Sequence, residues 1–246
     1  MSIAIPVVNG PTLYVDNLQL TWTANATMTI AAGAARDSTN VNDITLAATA
    51  TINTATVGKI NGIDAAAVAA STRYNVFIVG DSSQTNPVGG LLSTSLTPTL
   101  PYGYDMYRRI GTVFTDGSKN LLLAWWYGNA RERTMYYDVG ISALSGGSST
   151  SYANISLVAS APAVASLRVI FDIAYTANSA TNTAQFLPYG SSATNGVVRY
   201  GCGVAAAQVG QITVPTGLNA GVPEVQYKVA SSDSLTLLTT GYIETL

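Results

Sequence analysis

Apolar and polar residues alternate along much of this chain, as they do on a strand with one buried face. In residues 18–23, which read LQLTWT, leucine or tryptophan takes every second position and a polar residue lies between them. Further β-rich segments follow at 73–79 (RYNVFIV) and 167–173 (LRVIFDI). A period of two places neighbouring side chains on opposite faces of a strand, and helical periodicity is nearly absent. Turn residues interrupt these runs at short intervals, so the sequence predicts an all-β fold of β-sandwich or jelly-roll-like lobes.

A glycine- and serine-rich segment divides this pattern. Ser145–Ser149 reads SGGSS, and strand-like sequence resumes at Tyr152. Such composition marks a turn or a boundary. We expect an N-terminal β lobe over residues 1–140 and a C-terminal β-sandwich lobe over 150–246. A long loop on one side of a single sandwich would give the same signal, so the sequence leaves open whether the lobes are separate domains.

The composition argues against most enzyme and cofactor chemistry. The 246 residues include no histidine and one cysteine, which removes the most common proton shuttle and any intrachain disulfide or thiolate cluster. The formal charge of −2 offers no basic surface for a phosphate backbone, so we expect no nucleic-acid partner. No segment approaches the roughly 18 apolar residues of a membrane span, so we expect no membrane insertion. The sequence therefore predicts a protein that is not an enzyme and that binds no metal or cofactor.

The low charge content also bears on assembly. Only 10% of the residues are charged, whereas the surface of a small soluble domain is usually about 25–35% charged. A surface with so few charges is tolerated when neighbouring molecules cover much of it. We therefore expect a homo-oligomer, with a trimer as the first hypothesis.

Two adjacent arginines are candidates for an interface. Arg108 and Arg109 lie in a β-rich segment, so their side chains point to opposite faces and one of them enters a lobe or subunit interface. We expect that arginine to pair with a carboxylate, because its planar guanidinium makes two parallel hydrogen bonds to one. Examples of such a carboxylate are Asp105, Asp116 and Asp138.

Three consecutive aromatic residues, Trp125, Trp126 and Tyr127, suggest a possible glycan site. Exposed tryptophan and tyrosine rings stack on sugar rings, and polar neighbours complete such sites. On a strand, two of the three rings face one side and the third faces the other, so at least one belongs to the core. The alternative interpretation is that all three pack in the core or in an interface.

Two other segments resemble known binding motifs, but each is better interpreted as a segment with a structural role and no ligand. Residues 201–206 (GCGVAA) match the spacing of a dinucleotide-binding loop, but no helix or βαβ unit follows. Cys202 within this segment is expected to be a small buried residue. Asp37, Asn40 and Asp43 offer oxygen ligands for calcium, but without the dense spacing of a calcium loop they are interpreted as turn residues.

Thr99–Gly111, TLPYGYDMYRRIG, resembles a stretch found in structural proteins of tailed bacteriophages, of the tail-fibre, head-fibre or appendage type. Ala70–Asp81, Arg36–Ile44 and Val225–Val229 resemble other parts of the same proteins, and the resemblance spans most of the chain. It implies a β-rich, multimeric virion component, made in the host cytoplasm, that contacts other virion proteins and contributes to host attachment or capsid decoration. The family offers no catalytic residues.

The sequence therefore supports two hypotheses about function. The first is a non-enzymatic virion component: a fibre, an appendage or a capsid-surface protein. The second is a carbohydrate-binding module or depolymerase that acts on glycan of the host cell surface. The second requires an exposed Trp125 or Trp126, and its enzymatic version also requires two carboxylates that face each other across a groove.

Overall fold

The protein is built from β-strands. A computed structural model describes residues 14–128, 132–201 and 206–246. Cys202 and most of the dinucleotide-like segment lie outside these residues. Twenty strands are defined in chain order: β1 (Val15–Asn17), β2 (Leu20–Ala24), β3 (Thr27–Ile30), β4 (Gly33–Arg36), β5 (Asp43–Leu46), β6 (Ala50–Asn53), β7 (Gly62–Ile63), β8 (Arg73–Gly80), β9 (Gly89–Ser93), β10 (Met106–Phe114), β11 (Ala124–Gly128), β12 (Glu132–Gly147), β13 (Ala153–Ser156), β14 (Arg168–Thr176), β15 (Thr183–Pro188), β16 (Val198–Gly201), β17 (Ala207–Pro215), β18 (Gly217–Asn219), β19 (Val222–Lys228) and β20 (Ser234–Thr245).

These strands form four sheets, and the prediction of an all-β, sandwich-like fold is confirmed. The largest sheet has the order β17-β14-β20-β12-β11-β2-β3-β6. The smaller sheets have the orders β1-β4-β5, β10-β8-β9-β7 and β13-β19-β15-β16, with β18 beside β19. Neighbouring strands are antiparallel except β7 and β9. No helix among the described residues is long and apolar enough to cross a membrane.

The eight-stranded sheet joins the two ends of the chain. Strands β2, β3 and β6 come from the first 53 residues, whereas β14, β17 and β20 come from the last 79. One buried apolar cluster contains residues from both ends, among them Ile30, Ile52, Phe171 and Tyr242. The lobes proposed for residues 1–140 and 150–246 thus share a sheet and a core, and their status as separate domains stays a prediction.

The alternating pattern sets the two faces of this sheet. Leu20 in β2 is buried and Trp22 is half-buried, whereas Thr21, which lies between them, and Thr23, which follows Trp22, are exposed. Strand β8 differs, because residues 74–80 are buried on both of its faces. One face joins the main core, and the other packs Phe77 into a smaller cluster with Val79 and Leu91.

Aspartates hold several of the turns between the strands. The Asp37 carboxylate accepts hydrogen bonds from the Thr39 hydroxyl and from the backbone N–H groups of Val41 and Asn42. This side chain is therefore committed to its own turn, as the interpretation of Asp37 as a turn residue requires. No group of three or more metal-ligating cysteine or acidic side chains occurs in the described ranges.

The turn at residues 81–86 makes part of the stability dependent on pH. The Asp81 carboxylate accepts hydrogen bonds from the hydroxyl and N–H of Ser83 and from the N–H and amide of Asn86, which lowers its pKa from 3.8 to about 2. Because the folded-state pKa is depressed, the contribution is present above about pH 4 and is lost as the pH falls toward 2.

We expect Asp81→Asn to remove this contribution. Between pH 5 and pH 3, the melting temperature of the unmodified protein should fall more than that of the variant, as measured by circular dichroism. Equal falls in melting temperature would show that Asp81 is not responsible for the pH dependence of stability. Asp16→Asn, on an exposed residue of β1, provides a control.

Candidate functional site

Strand β11 places the three consecutive aromatic residues on both faces of the eight-stranded sheet. Trp126 is 5% exposed and packs in the main core, whereas Trp125 is 43% exposed and Tyr127 is 56% exposed on the opposite, outer face. This is the division that strand alternation predicts. Of the three candidate glycan contacts, only Trp125 and Tyr127 are available to a ligand.

Tyr136 of β12 extends this pair on the outer face. It lies directly opposite Trp125 in the β11–β12 ladder, and its ring meets that of Tyr127 edge-on with centroids 6.1 Å apart. Thr21 of β2 lies opposite Trp125 on the other side. We call Trp125, Tyr127 and Tyr136 the aromatic strip. Tyr136 was not predicted, although its place in an alternating strand next to β11 provides a signal for it.

A shallow hollow of about 200 Å³ lies beside the strip, between β11 and β2. Its polar groups come from Gln19 and Thr21, and the Gln19 amide donates a hydrogen bond to the Trp126 carbonyl. None of the described residues that line it is a carboxylate. The arrangement offers aromatic rings for stacking and hydroxyl and amide groups for hydrogen bonds, which suits an uncharged ring such as a sugar.

The outer face is uncharged along a complete row that crosses the sheet. Residues directly opposite one another on neighbouring strands share a face, so the register defines this row. From β6 to β17 it consists of Thr51, Thr29, Thr21, Trp125, Tyr136, Gly241, Ile170 and Thr213. We call it the neutral row. Gly241 and Ile170 are buried, so the exposed part of the row runs across five strands from Thr51 to Tyr136, with a threonine surface at one end and an aromatic surface at the other.

The candidate interface residues lie on β10 and just before it. The Asp105 carboxylate accepts hydrogen bonds from the N–H and hydroxyl of Ser82 and so holds a neighbouring loop. Arg108 and Arg109 are consecutive residues of β10, and both line one hollow beside that strand, so their orientation to opposite faces stays a prediction. Burial, together with the neighbouring charge of Arg109, lowers the pKa of Arg108, and Asp37 partly offsets this effect.

The carboxylate partner of Arg109 is Glu244 of β20. An arginine of this pair does meet a carboxylate, as expected, but the partner of Arg109 is Glu244 from the end of the chain and not one of the three aspartates named as examples. The side chain of Glu244 is fully buried and that of Arg109 is 14% exposed. Asn75 and Thr112 accept further hydrogen bonds from the Arg109 guanidinium. The ion pair ties the four-stranded sheet to the eight-stranded sheet inside one chain.

Arg133 of β12 is a second buried arginine at this junction. It is 1% exposed and donates to the backbone carbonyls of Ile110 in β10 and Asn17 in β1, so one side chain of the eight-stranded sheet contacts the two other sheets to which these strands belong. Burial lowers its pKa to about 10, although the charge of Glu244 acts in the opposite direction. We call Arg109, Arg133 and Glu244 the arginine cluster. Arg133 was missed, yet its position in phase with the buried Met135 and Tyr137 marks it as inward-facing.

Comparison of the chain with protein-family models, curated protein sequences and solved structures found no match. The candidate site is therefore defined by its own geometry: an exposed aromatic strip within a neutral row, above a junction held by buried charges.

Proposed function

We propose that this chain is a non-enzymatic structural subunit of a tailed-bacteriophage virion that assembles with copies of itself. The observation that carries the proposal is the neutral row. Its exposed part crosses five neighbouring strands without a charge and costs little to desolvate, because no ion loses its hydration when a neighbour covers it. The resemblance of the Thr99–Gly111 segment to phage structural proteins supplies the virion context.

The architecture suits a component that must persist outside the cell. Its packed sheets share one buried apolar core, and the chain has a single cysteine and therefore no intrachain disulfide. Repeated copies also turn a weak site on each subunit into strong attachment, because each further contact is intramolecular once the first has formed. Trimeric assembly, the first hypothesis from the sequence, remains part of the proposal.

The virion assignment is tested on purified particles. Phage particles from the source of this sequence are banded on a density gradient, and their peptides are identified by mass spectrometry. We expect peptides of this chain to follow the particle band at a constant ratio to the capsid protein through a second gradient. Their complete loss from the particles, with the protein present in the lysate, would contradict the proposal.

The exposed aromatic strip favours a second candidate function, a carbohydrate-binding module for host surface glycan. We expect Trp125→Ala to weaken binding to any glycan found on an array by at least about tenfold, or about 1.4 kcal/mol. Its melting temperature should stay close to that of the unmodified protein, because Trp125 is on the outer face. Val139→Ala, also exposed on β12, is the control. Unchanged binding by Trp125→Ala would contradict a glycan site at the strip.

A further inference from the structure

We propose that strand β17 joins two copies of this chain by continuing the eight-stranded sheet across a twofold axis. The inference rests on the self-assembly proposed above and names the surface that carries it. β17 is a nine-residue strand at the end of the sheet, and β14 is its only neighbour there. Its other side presents backbone donors and acceptors in the plane of the sheet, which is a template for another strand.

Hydrogen bonds at both ends of the β14–β17 ladder show which residues of β17 face outward. The Ala177 N–H donates to the Ala206 carbonyl and the Thr216 N–H donates to the Leu167 carbonyl, so both of these directly opposed pairs are hydrogen-bonded pairs. Hydrogen-bonded pairs recur at every second residue of an antiparallel ladder. Even-numbered residues of β17 therefore bond to β14. The N–H and C=O groups that point away from the sheet belong to Ala207, Val209, Gln211 and Thr213.

This edge lacks a charged side chain, a central proline and a bulge, which are three of the devices that usually block pairing, although Tyr200 of β16 packs against Gly210. Residues 207–215 read AQVGQITVP and contain no charged side chain. Their register with β14 is unbroken from Ala207 to Pro215, so no bulge twists the edge away. The one proline stands at the last position of the strand. Natural edge strands are ordinarily protected by lysines, central prolines, bulges or covering loops.

The other long edge strand of the protein is covered. β10 also has nine residues and ends its sheet, but donors from elsewhere in the chain occupy four of its carbonyls. These bonds are Ser38 N–H to Tyr107, Arg133 to Ile110, the Tyr242 hydroxyl to Thr112 and Leu122 N–H to Phe114. At the far end of the eight-stranded sheet, β6 has four residues, and the Asn53 N–H donates to Asn61. Among the described residues, no comparable backbone bond covers the outer side of β17.

A second copy of β17 fits this edge because an antiparallel strand pair is self-complementary about a twofold axis. With the axis at Gly210, Val209 lies opposite the partner's Gln211 and Ala207 lies opposite the partner's Thr213. All four outward residues of each strand are then paired, which gives about eight N–H···O bonds between the chains. A neutral strand meets a neutral strand, so neither copy of β17 brings a charged side chain into the contact.

The adjoining surface is mainly apolar and continuous with the edge, and its one carboxylate, Asp172, accepts a hydrogen bond from the Gln211 amide. Val209 is 81% exposed, and with Ala174 and Leu238 it lines a hollow of about 410 Å³ on the outer face. A strand added at β17 extends this face and covers part of Val209. The contact requires an even number of copies: a dimer, or a hexamer when a threefold contact is also present.

The first test is the mass in solution of matched variants. Val209→Pro removes an outward N–H without removing a bond to β14, and Val209→Lys adds the charge that natural edges use. We expect either change to halve the mass measured by light scattering. Val139→Lys, on a valine that is 75% exposed in the interior strand β12, should leave the mass unchanged. An unmodified assembly that keeps its mass in both Val209 variants would overturn the β17 contact while leaving self-assembly intact.

The second test measures, by amide hydrogen exchange, whether the outward N–H groups of β17 are hydrogen-bonded. Even-numbered amides of β17 are protected by β14 in any state. We expect the odd-numbered amides at 207, 209, 211 and 213 to exchange about tenfold or more slowly in the unmodified protein than in Val209→Lys. Fast exchange of these four in an assembled protein would overturn the β17 contact alone. Fast exchange in a protein that is monomeric at micromolar concentration would overturn the self-assembly as well.

Discussion

Glu244→Gln is expected to lower the free energy of unfolding by about 3–5 kcal/mol, the usual cost of removing one partner from a buried ion pair. Glu244 is the negative member of the arginine cluster, and its loss leaves the charges of Arg109 and Arg133 without a compensating carboxylate. Both arginines are held at the junction by hydrogen bonds, Arg109 to Asn75 and Arg133 to the Ile110 carbonyl, and Arg133 is only 1% exposed. Urea unfolding followed by tryptophan fluorescence measures the change.

Glu132→Gln is the matched control for this prediction. Glu132 lies on β12, the strand next to β20, and pairs with Arg168 at 2.6 Å, but both side chains are about half exposed. Exposed pairs contribute about 0–1 kcal/mol, so the control should change stability by no more than that. The double variant Arg109→Met/Glu244→Leu should recover part of the loss, because Arg109 leaves together with the carboxylate and only Arg133 stays buried without one. Equal small effects at Glu244 and Glu132 would contradict a structural role for the cluster.

Trp126→Ala is expected to cost about 3–5 kcal/mol of unfolding free energy, as large core truncations do. The ring of Trp126 is 5% exposed and packs in the main core beneath β11. Trp126→Phe keeps most of the apolar volume and should cost less. Thermal and urea unfolding of the two variants provide the comparison.

Trp125→Ala separates the two roles of the aromatic run. Trp125 belongs to the outer face, so its removal should change the unfolding free energy by less than about 1 kcal/mol. If Trp126→Ala weakened glycan binding, the loss of structure would explain it. If Trp125→Ala weakened glycan binding, a surface site at Trp125 would explain it. Similar stability losses for both variants would contradict the assignment of opposite faces to these residues.

The sequence could predict the fold class because one physical signal dominates it. A period of two in β2 and in β11 places Leu20 and Trp126 inside and Thr21 and Trp125 outside, and these placements follow from strand geometry alone. The burial of Arg133 also follows from this period once Met135 and Tyr137 are assigned to the core. Arg133 is overlooked because it is charged: a sequence pattern that assigns only apolar residues to the core leaves it out, although its position in the strand is inward-facing.

Sheet order and long-range pairing could not be predicted from the same signal. Glu244 meets Arg109 across 135 positions of sequence, and alternation says nothing about which strands become neighbours. The free edge of β17 is invisible for the same reason, because an edge strand and a central strand with identical alternation differ only in what lies beside them. The neutral row likewise becomes visible only when the register of eight strands is known.

Self-assembly is the central claim of this account, and the mass of the unmodified protein in solution tests it most directly. Light scattering behind a sizing column, across the micromolar range, should give a mass that is a multiple of the 25.5 kDa chain. A multiple of three would support trimeric assembly, and an even multiple would support the β17 contact. A mass of one chain at every concentration would contradict the claim that the uncharged surface exists to be covered by further copies.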